Sequence, residues 1–221
     1  MNPRQGRASV LGIPRDAWVP IPGVGTDKIN AALPRGGPQA LVEAVERLSG
    51  IEMDAYVLTG FEGFQAMVKA IGGIDATIPR RIYDVAANAR LDKGPQHLSA
   101  RQSLAFARAR HALPDGDFGR SLNQGRLLIA ALATLREGYR ATGVASLIPW
   151  AIAGAEHLHT DLSVMDLFDL LIAAPAFDPG KVRNAIATGH TATIDGKSVV
   201  ILDAGAYASF RDLARDGVLG G

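Results

Sequence analysis

Two hydrophobic periodicities alternate along this chain, and that alternation restricts the fold more than any other feature of it. The run from Arg7 to Ile13, "RASVLGI", is short, apolar and stopped by Pro14, which is how a strand reads. "GGPQALVEAVERLSG" instead spaces Leu41, Val42, Val45 and Leu48 along one helical face, with Pro38 at the first position and Gly50 just past the end. The alternation continues: "DAYVLTG" reads as a strand, "FEGFQAMVKAIGG" as a helix closed by Gly72-Gly73, and "IDATIP" as a strand ended by Pro79. Strands interleaved with helices build a sheet covered by helices, so the expected class is α/β, in one domain over residues 1–221.

The second half adds helices with clear ends. In "HLSARQSLAFARAR", Ser99 followed by Gln102 is a capping box, and Leu104, Ala105 and Ala107 supply the buried side. "GRSLNQGRLLIAALATLREG" resumes helical spacing, with Asp117 as N-cap and Gly138 as stop. "LSVMDLFDLLIAA" is a helix capped by Asp161 or Ser163, "TATIDGKSVVILD" a hairpin turning at Asp195-Gly196, and "AYASFRDLARDG" a closing helix. "PRDAWVPIPGVGTDKIN", rich in proline and glycine, reads as an ordered loop.

Composition narrows function by exclusion. A net charge of +1 gives no reason to expect nucleic-acid binding. Cysteine is absent, which removes disulfides and thiolate metal sites. No apolar run approaches membrane-spanning length, and the first residues lack the apolar region of a signal peptide, so the chain as given is expected to be soluble and without an anchor. No phosphate-binding glycine motif follows a strand, which ranks nucleotide binding last.

Against that even background, "RARHALPDGDFGRSLNQGR" holds four of the chain's 18 arginines. Arg108 and Arg110 end one helix, while Arg120 lies in the first turn of the next, whose free N–H groups and dipole point into the same region. Planar guanidinium forks beside a helix N-terminus suit phosphate or diphosphate, and Gln124, one turn beyond Arg120, adds a neutral donor. The plainer alternative has solvated arginines paired with Asp115 and Asp117. In "IPRD", Arg15 and Asp16 directly follow a strand, where open α/β sheets build ligand sites, and "TDKINAA" offers Lys28. His157 and His159 read as surface or packing residues rather than a metal pair, and His111 as a helix end or an acid–base group. Trp18, Phe61 and "MDLFDLLIAAPAF" read as a pocket lining or as ordinary core.

These segments, in their order, resemble the LytR-CpsA-Psr family of bacterial cell-wall phosphotransferases. The landmarks are "GIPRDAWVPIPG", "TDKINAAL", "DAYVLTGFEGFQAMVKAIGGIDATIP", "HLSARQSLAFARARH" and "GDFGRSLNQ". The resemblance implies a single α/β/α sandwich with a mixed central sheet, helices on both faces and an enclosed apolar pocket for a polyprenyl chain. It implies transfer of a glycopolymer from a polyprenyl-diphosphate carrier to a cell-wall acceptor such as peptidoglycan, with phosphodiester formation, Mg2+ as cofactor and pyrophosphatase activity alongside. It places such proteins on the outer face of the cytoplasmic membrane, drawn to that surface by their lipid substrate. By position it assigns Arg15, Asp16, Arg108, Arg110, Asp117 and Arg120 as catalytic residues, and Lys28 and Gln124 as substrate-binding residues.

Two departures accompany it. A strand that supplies an acidic metal-contacting group in the family precedes the segment matching Arg7–Ile13 and is not in this sequence. Asn123 and Gly125 stand where many relatives carry arginine and glutamine. The first departure leaves a non-catalytic polyprenyl-phosphate binding protein as the alternative reading.

Overall fold

The structure, a computed structural model, describes residues 6–110, 113 and 116–220, so the readings of His111 and Asp115 lie outside the described residues. The chain forms two units: residues up to Tyr56 joined by Arg183 onward, and Val57–Val182 between them.

In the first unit, strand β1 (Ala8–Gly12) pairs with β10 (Val182–Ile186). The proline-rich segment read as a loop is in fact a hairpin, β2 (Trp18–Ile21) against β3 (Gly25–Lys28). Its turn has Pro22 and then Gly23 at φ 71°, with the Val24 N–H donating to the Ile21 carbonyl, as a proline-glycine turn requires. Pro20 is exposed on this hairpin, opposite Thr26. Helix α1 (Ala32–Ser49) breaks at Gly37, at φ 72°, so that Pro38 opens the regular part, and Gly50 closes it in the left-handed conformation. Strands β11 (Gly189–Ile194) and β12 (Lys197–Leu202) form the expected hairpin, with Asp195 and Gly196 both at positive φ. Helix α7 (Ala204–Asp216) follows, its N-terminus capped by Asp203. Val19, Ile21, Ile29, Ala40 and Ala44 form the main core of this unit.

The second unit holds β4 (Val57–Leu58) paired with β9 (His159–Thr160), β5 (Ile74–Ile78) with β8 (Gly94–Leu98), and β6 (Ile82–Asp84) with β7 (Ala89–Leu91). Its helices are α2 (Phe61–Ala70), α3 (Ala100–Arg108), α4 (Gly116–Thr142), α5 (Ile148–His157) and α6 (Val164–Ala173). Ser99 and Ser163 both close capping boxes, with Gln102 and Asp166. Helix α4 departs from expectation at both ends. It starts before Asp117, which therefore sits inside the first turn, and it runs through Gly138 to Thr142. Gly138 serves packing instead: a Cβ there would lie 3.3 Å from that of Ser146. The core of this unit joins Val68, Ile74, Ile78, Ile82, Leu91, Leu98, Phe106 and Leu127.

The class is α/β. Among the described residues the strands pair two by two.

On the β5–β8 ladder, Asp75 and His97 are directly opposed, and the His97 ring reaches Asp75 Oδ1 at 2.8 Å and the Gly72 carbonyl at 3.0 Å. Both partners accept protons, so the Asp75 hydrogen bond first, and the Gly72 carbonyl next, raise the imidazole pKa above its ordinary 6.5. A raised folded pKa stabilises the fold fully below the unfolded value, and the benefit is lost as pH rises through the folded value. Asp75→Asn is expected to lower the His97 titration midpoint toward the ordinary value, read by NMR. The stability gap between wild type and variant should close as pH rises past the wild-type midpoint.

Candidate functional site

The strand-end pair of the first unit is built by backbone and ion pairing together. Asp16 accepts the Val200 N–H on its carbonyl at 2.8 Å, which pins the chain just after β1. Its carboxylate then meets Lys28 Nζ at 3.2 Å and takes a hydrogen bond from Asn30 Nδ2 at 3.2 Å. Arg15 is exposed, and its carbonyl accepts the Asn30 N–H at 3.1 Å. The structure thus brings Asp16 and Lys28, twelve residues apart, into one ion pair beside the exposed Arg15. It adds Asn30, which sequence reasoning missed; an asparagine two residues after a candidate lysine carries no signal of its own.

In the second unit the arginines occupy the junction of α3 and α4. Arg108, exposed at the end of α3, lies over the Phe61 ring with its guanidinium carbon 4.7 Å from the centroid. Phe61 is 60% exposed, so it is a surface platform and not core. Asp84 fixes the chain just beyond Arg108. It is 2% exposed, accepts the Ala87 N–H at 3.1 Å, and accepts the Arg110 N–H at 2.7 Å. A buried carboxylate holding two backbone amides is a rigid anchor, and it positions the residue that carries the Arg110 guanidinium. Sequence reasoning missed Asp84 as well; its signal is a lone acid inside an otherwise apolar strand. Asp84→Ala is expected to destabilise the protein by about 2–3 kcal/mol, because two buried donors lose a charged acceptor. Urea unfolding measures it, and Asp84→Asn should retain part of the loss.

Arg120 and Asp117, both mostly buried, form an ion pair within the first turns of α4. Among the described residues only one Asp117 oxygen is engaged: Oδ2 is buried with no partner. Gln124 donates from Nε2 to the Ala107 carbonyl at 3.2 Å, tying α4 to the last turn of α3. The expected neutral donor therefore holds the two helices in register. Arg126 donates to Asn123 Oδ1 at 2.8 Å, away from Arg120. His159 is exposed, and the backbone carbonyl of His157 accepts the Thr59 hydroxyl at 3.2 Å.

The sequence left "MDLFDLLIAAPAF" open between core and pocket wall. Helix α6 buries none of its residues, with Val164 73% and Met165 66% exposed and Phe168, Leu170 and Ile172 also open. Ile148 and Ile152 on α5, which packs against α6, are exposed too.

Magnesium can be tested against the donors. Among the described residues no three acidic or histidine groups come together. Asp16 is tied to Lys28, and Asp117 offers one orphaned oxygen beside a guanidinium. Magnesium takes an octahedron of oxygens, commonly one or two carboxylates completed by substrate phosphate and water. The described residues do not make such a site by themselves. Among the described residues no helix is long and apolar enough to cross a membrane.

TagV of Bacillus subtilis, named a polyisoprenyl-teichoic acid–peptidoglycan teichoic acid transferase, is 30% identical over 197 residues, which is 86% of this chain and 50% of that protein. TagU of Bacillus mycoides, with the same activity in its name, is 32% identical over 171 residues, 77% of this chain and 55% of that protein. The chain thus spans about half the length of these curated relatives. The crystal structure of B. subtilis TagV superposes with a TM-score of 0.83 at 27% identity, covering 98% of this chain and 85% of that one. A structure described as TagT bound to LIIa-WTA gives 0.81 at 26% identity, covering 100% and 83%. The family described as LytR_cpsA_psr matches residues 1–216, and the chain belongs to it.

Proposed function

We propose that this protein transfers a glycopolymer from a polyprenyl-diphosphate carrier to a cell-wall acceptor such as peptidoglycan. The observation that carries the reading is the α3–α4 junction, where Arg108, Arg110 and Arg120 are placed by Asp84, Phe61 and Asp117 within a chain of this family. The names of the relatives support the substrate class.

In this reading an acceptor hydroxyl attacks the phosphorus attached to the glycopolymer. A new P–O bond forms, the bridging P–O bond of the diphosphate breaks, and polyprenyl phosphate leaves with the bond electrons. The arginines neutralise the phosphoryl oxygens, where negative charge accumulates, and orient the group for in-line attack. In this reading Asp117 Oδ2, buried and without a partner among the described residues, accepts the hydroxyl proton. From the first unit the reading takes Arg15 and Asp16 as catalytic residues and Lys28 as a substrate contact. Gln124 keeps α4 against α3, and through that register positions Arg120. The exposed apolar face of α5 and α6 takes the prenyl chain, each buried CH2 contributing about 0.8 kcal/mol. With water in place of the acceptor hydroxyl, the same attack is pyrophosphate hydrolysis. Mg2+, if it takes part, would supply charge neutralisation at the diphosphate, since the described residues offer no metal site by themselves. The reading places the protein at the outer face of the cytoplasmic membrane, where such carriers present their polymers.

The test incubates the purified chain with a polyprenyl-diphosphate-linked saccharide, Mg2+ and peptidoglycan, and scores saccharide–peptidoglycan product and released polyprenyl phosphate. Product is the expected result. Bound lipid without product reduces the protein to a lipid-binding role, and absence of both overturns the reading.

A further inference from the structure

Helix α4 carries a second set of donors on a different stripe from Arg120 and Gln124. Asn123 and Arg126 face a small open cleft together with Arg80, walled by Pro79, Leu113 and Leu122. Arg120 and Gln124 follow Gly119 and Asn123 in sequence, and each residue turns the helix by about 100°, so they leave the stripe that lines this cleft.

Its chemistry is one-sided. Asn123 is 1% exposed, and its Oδ1 already accepts Arg126 Nη1 at 2.8 Å. Its Nδ2 is buried with no acceptor among the described residues. Among the described residues no carboxylate pairs with Arg80 or Arg126. Burial first, and the neighbouring Arg80 charge second, lower the Arg126 pKa, yet guanidinium stays charged at any physiological pH. Two like charges therefore share an apolar-walled recess with an unsatisfied amide donor. Arg80, Arg126 and the Asn123 amide present donors, which disfavours cations and matches a compact group bearing several acceptor oxygens. Guanidinium forks fit tetrahedral oxyanions with paired hydrogen bonds.

We propose that Arg80, Asn123 and Arg126 form an oxyanion subsite, separate from the Arg108–Arg120 junction, that takes a phosphate group. The group comes from free phosphate or from a phosphodiester of a polyanionic chain, since both present the same non-bridging oxygens. The inference stands on the cleft and does not depend on transfer activity.

The test is NMR titration of the nitrogen-15-labelled full chain at fixed ionic strength, following the Asn123 side-chain amide and the Arg80 and Arg126 Nε–H signals. The probes are inorganic phosphate and glycerophosphoglycerol, with sodium chloride as the reference. Saturable shifts with either probe are expected, weakened at least about tenfold in Arg80→Gln, the loss of one charge-assisted contact. Arg80 is exposed, so that variant keeps its fold. Arg120→Gln should leave the binding unchanged. Tighter binding of inorganic phosphate assigns the site to the free ion, and tighter binding of the diester assigns it to a polymer. Shifts no larger than those with chloride, wild-type affinity in Arg80→Gln, or loss of binding in Arg120→Gln would each overturn the proposal.

Discussion

In the proposed transfer, Arg120→Ala is expected to lower the rate by about 10²–10³-fold, the effect of removing one preorganised charge donor from a developing oxyanion. The guanidinium is held by Asp117 within the same helix, so the proposed reaction would find it aimed before substrate arrives and in need of little reorganisation. Its removal also leaves the buried Asp117 carboxylate without its ion-pair partner while Oδ2 is already unpaired. The variant should therefore lose some stability along with activity. Arg120→Lys separates the two effects: it restores the charge beside Asp117 but not the planar fork, so stability should recover further than rate. Arg108→Ala is the cleaner companion. Arg108 is exposed and contacts the Phe61 face, so its loss should reduce transfer with little change in the unfolding midpoint. Full activity in both Arg108→Ala and Arg120→Ala would remove the phosphoryl-transfer assignment of this junction.

Phe106→Ala is expected to cost about 3–5 kcal/mol, the range for deleting a fully buried aromatic ring. Phe106 is 0% exposed and packs in the cluster that joins α2, α3, α4 and strands β5 to β8. In a protein of this size each kcal/mol lowers Tm by about 2–4 °C, so calorimetry should show a fall of roughly 6–20 °C. Phe106 lies two residues before Arg108, on the opposite side of α3. A cavity there frees the helix whose end carries the arginines, and transfer should fall with stability. Phe106→Leu refills most of the volume and should restore both together. Recovery of stability without activity would indicate that ring packing aims α3 beyond simply holding it.

Local chemistry made much of this legible. The capping boxes at Ser99–Gln102 and Ser163–Asp166, Pro38 at a helix start, Gly50 at a helix end and the Asp195-Gly196 turn each concern residues within a few positions of one another. Backbone donors and φ preferences settle such features before any long-range contact forms. The β2–β3 hairpin was masked by its own punctuation: prolines suggested a loop, whereas Pro20 faces solvent and Pro22-Gly23 makes the turn. Strands β6 and β7 are three residues each, too short to show a period, and Asn88 at φ 52° supplies the turn between them. Gly138 looked like a stop because glycine often ends helices; here it admits Ser146.

The candidate site divides in the same way. Arginine enrichment between two apolar helices, and the ordered landmarks of the family, are properties of the sequence alone. Which arginine is held by which neighbour is not. Asp84 meets the Arg110 amide across 26 residues, Gln124 reaches the Ala107 carbonyl across 17, and Asp16 meets Asn30 across 14. The apolar composition of α6 is equally plain in the sequence, yet its exposure depends on which elements fail to cover it. Period, caps and turns are short-range and were fixed by the residues themselves. Partnership and burial join groups distant in sequence, so only the folded chain decided them.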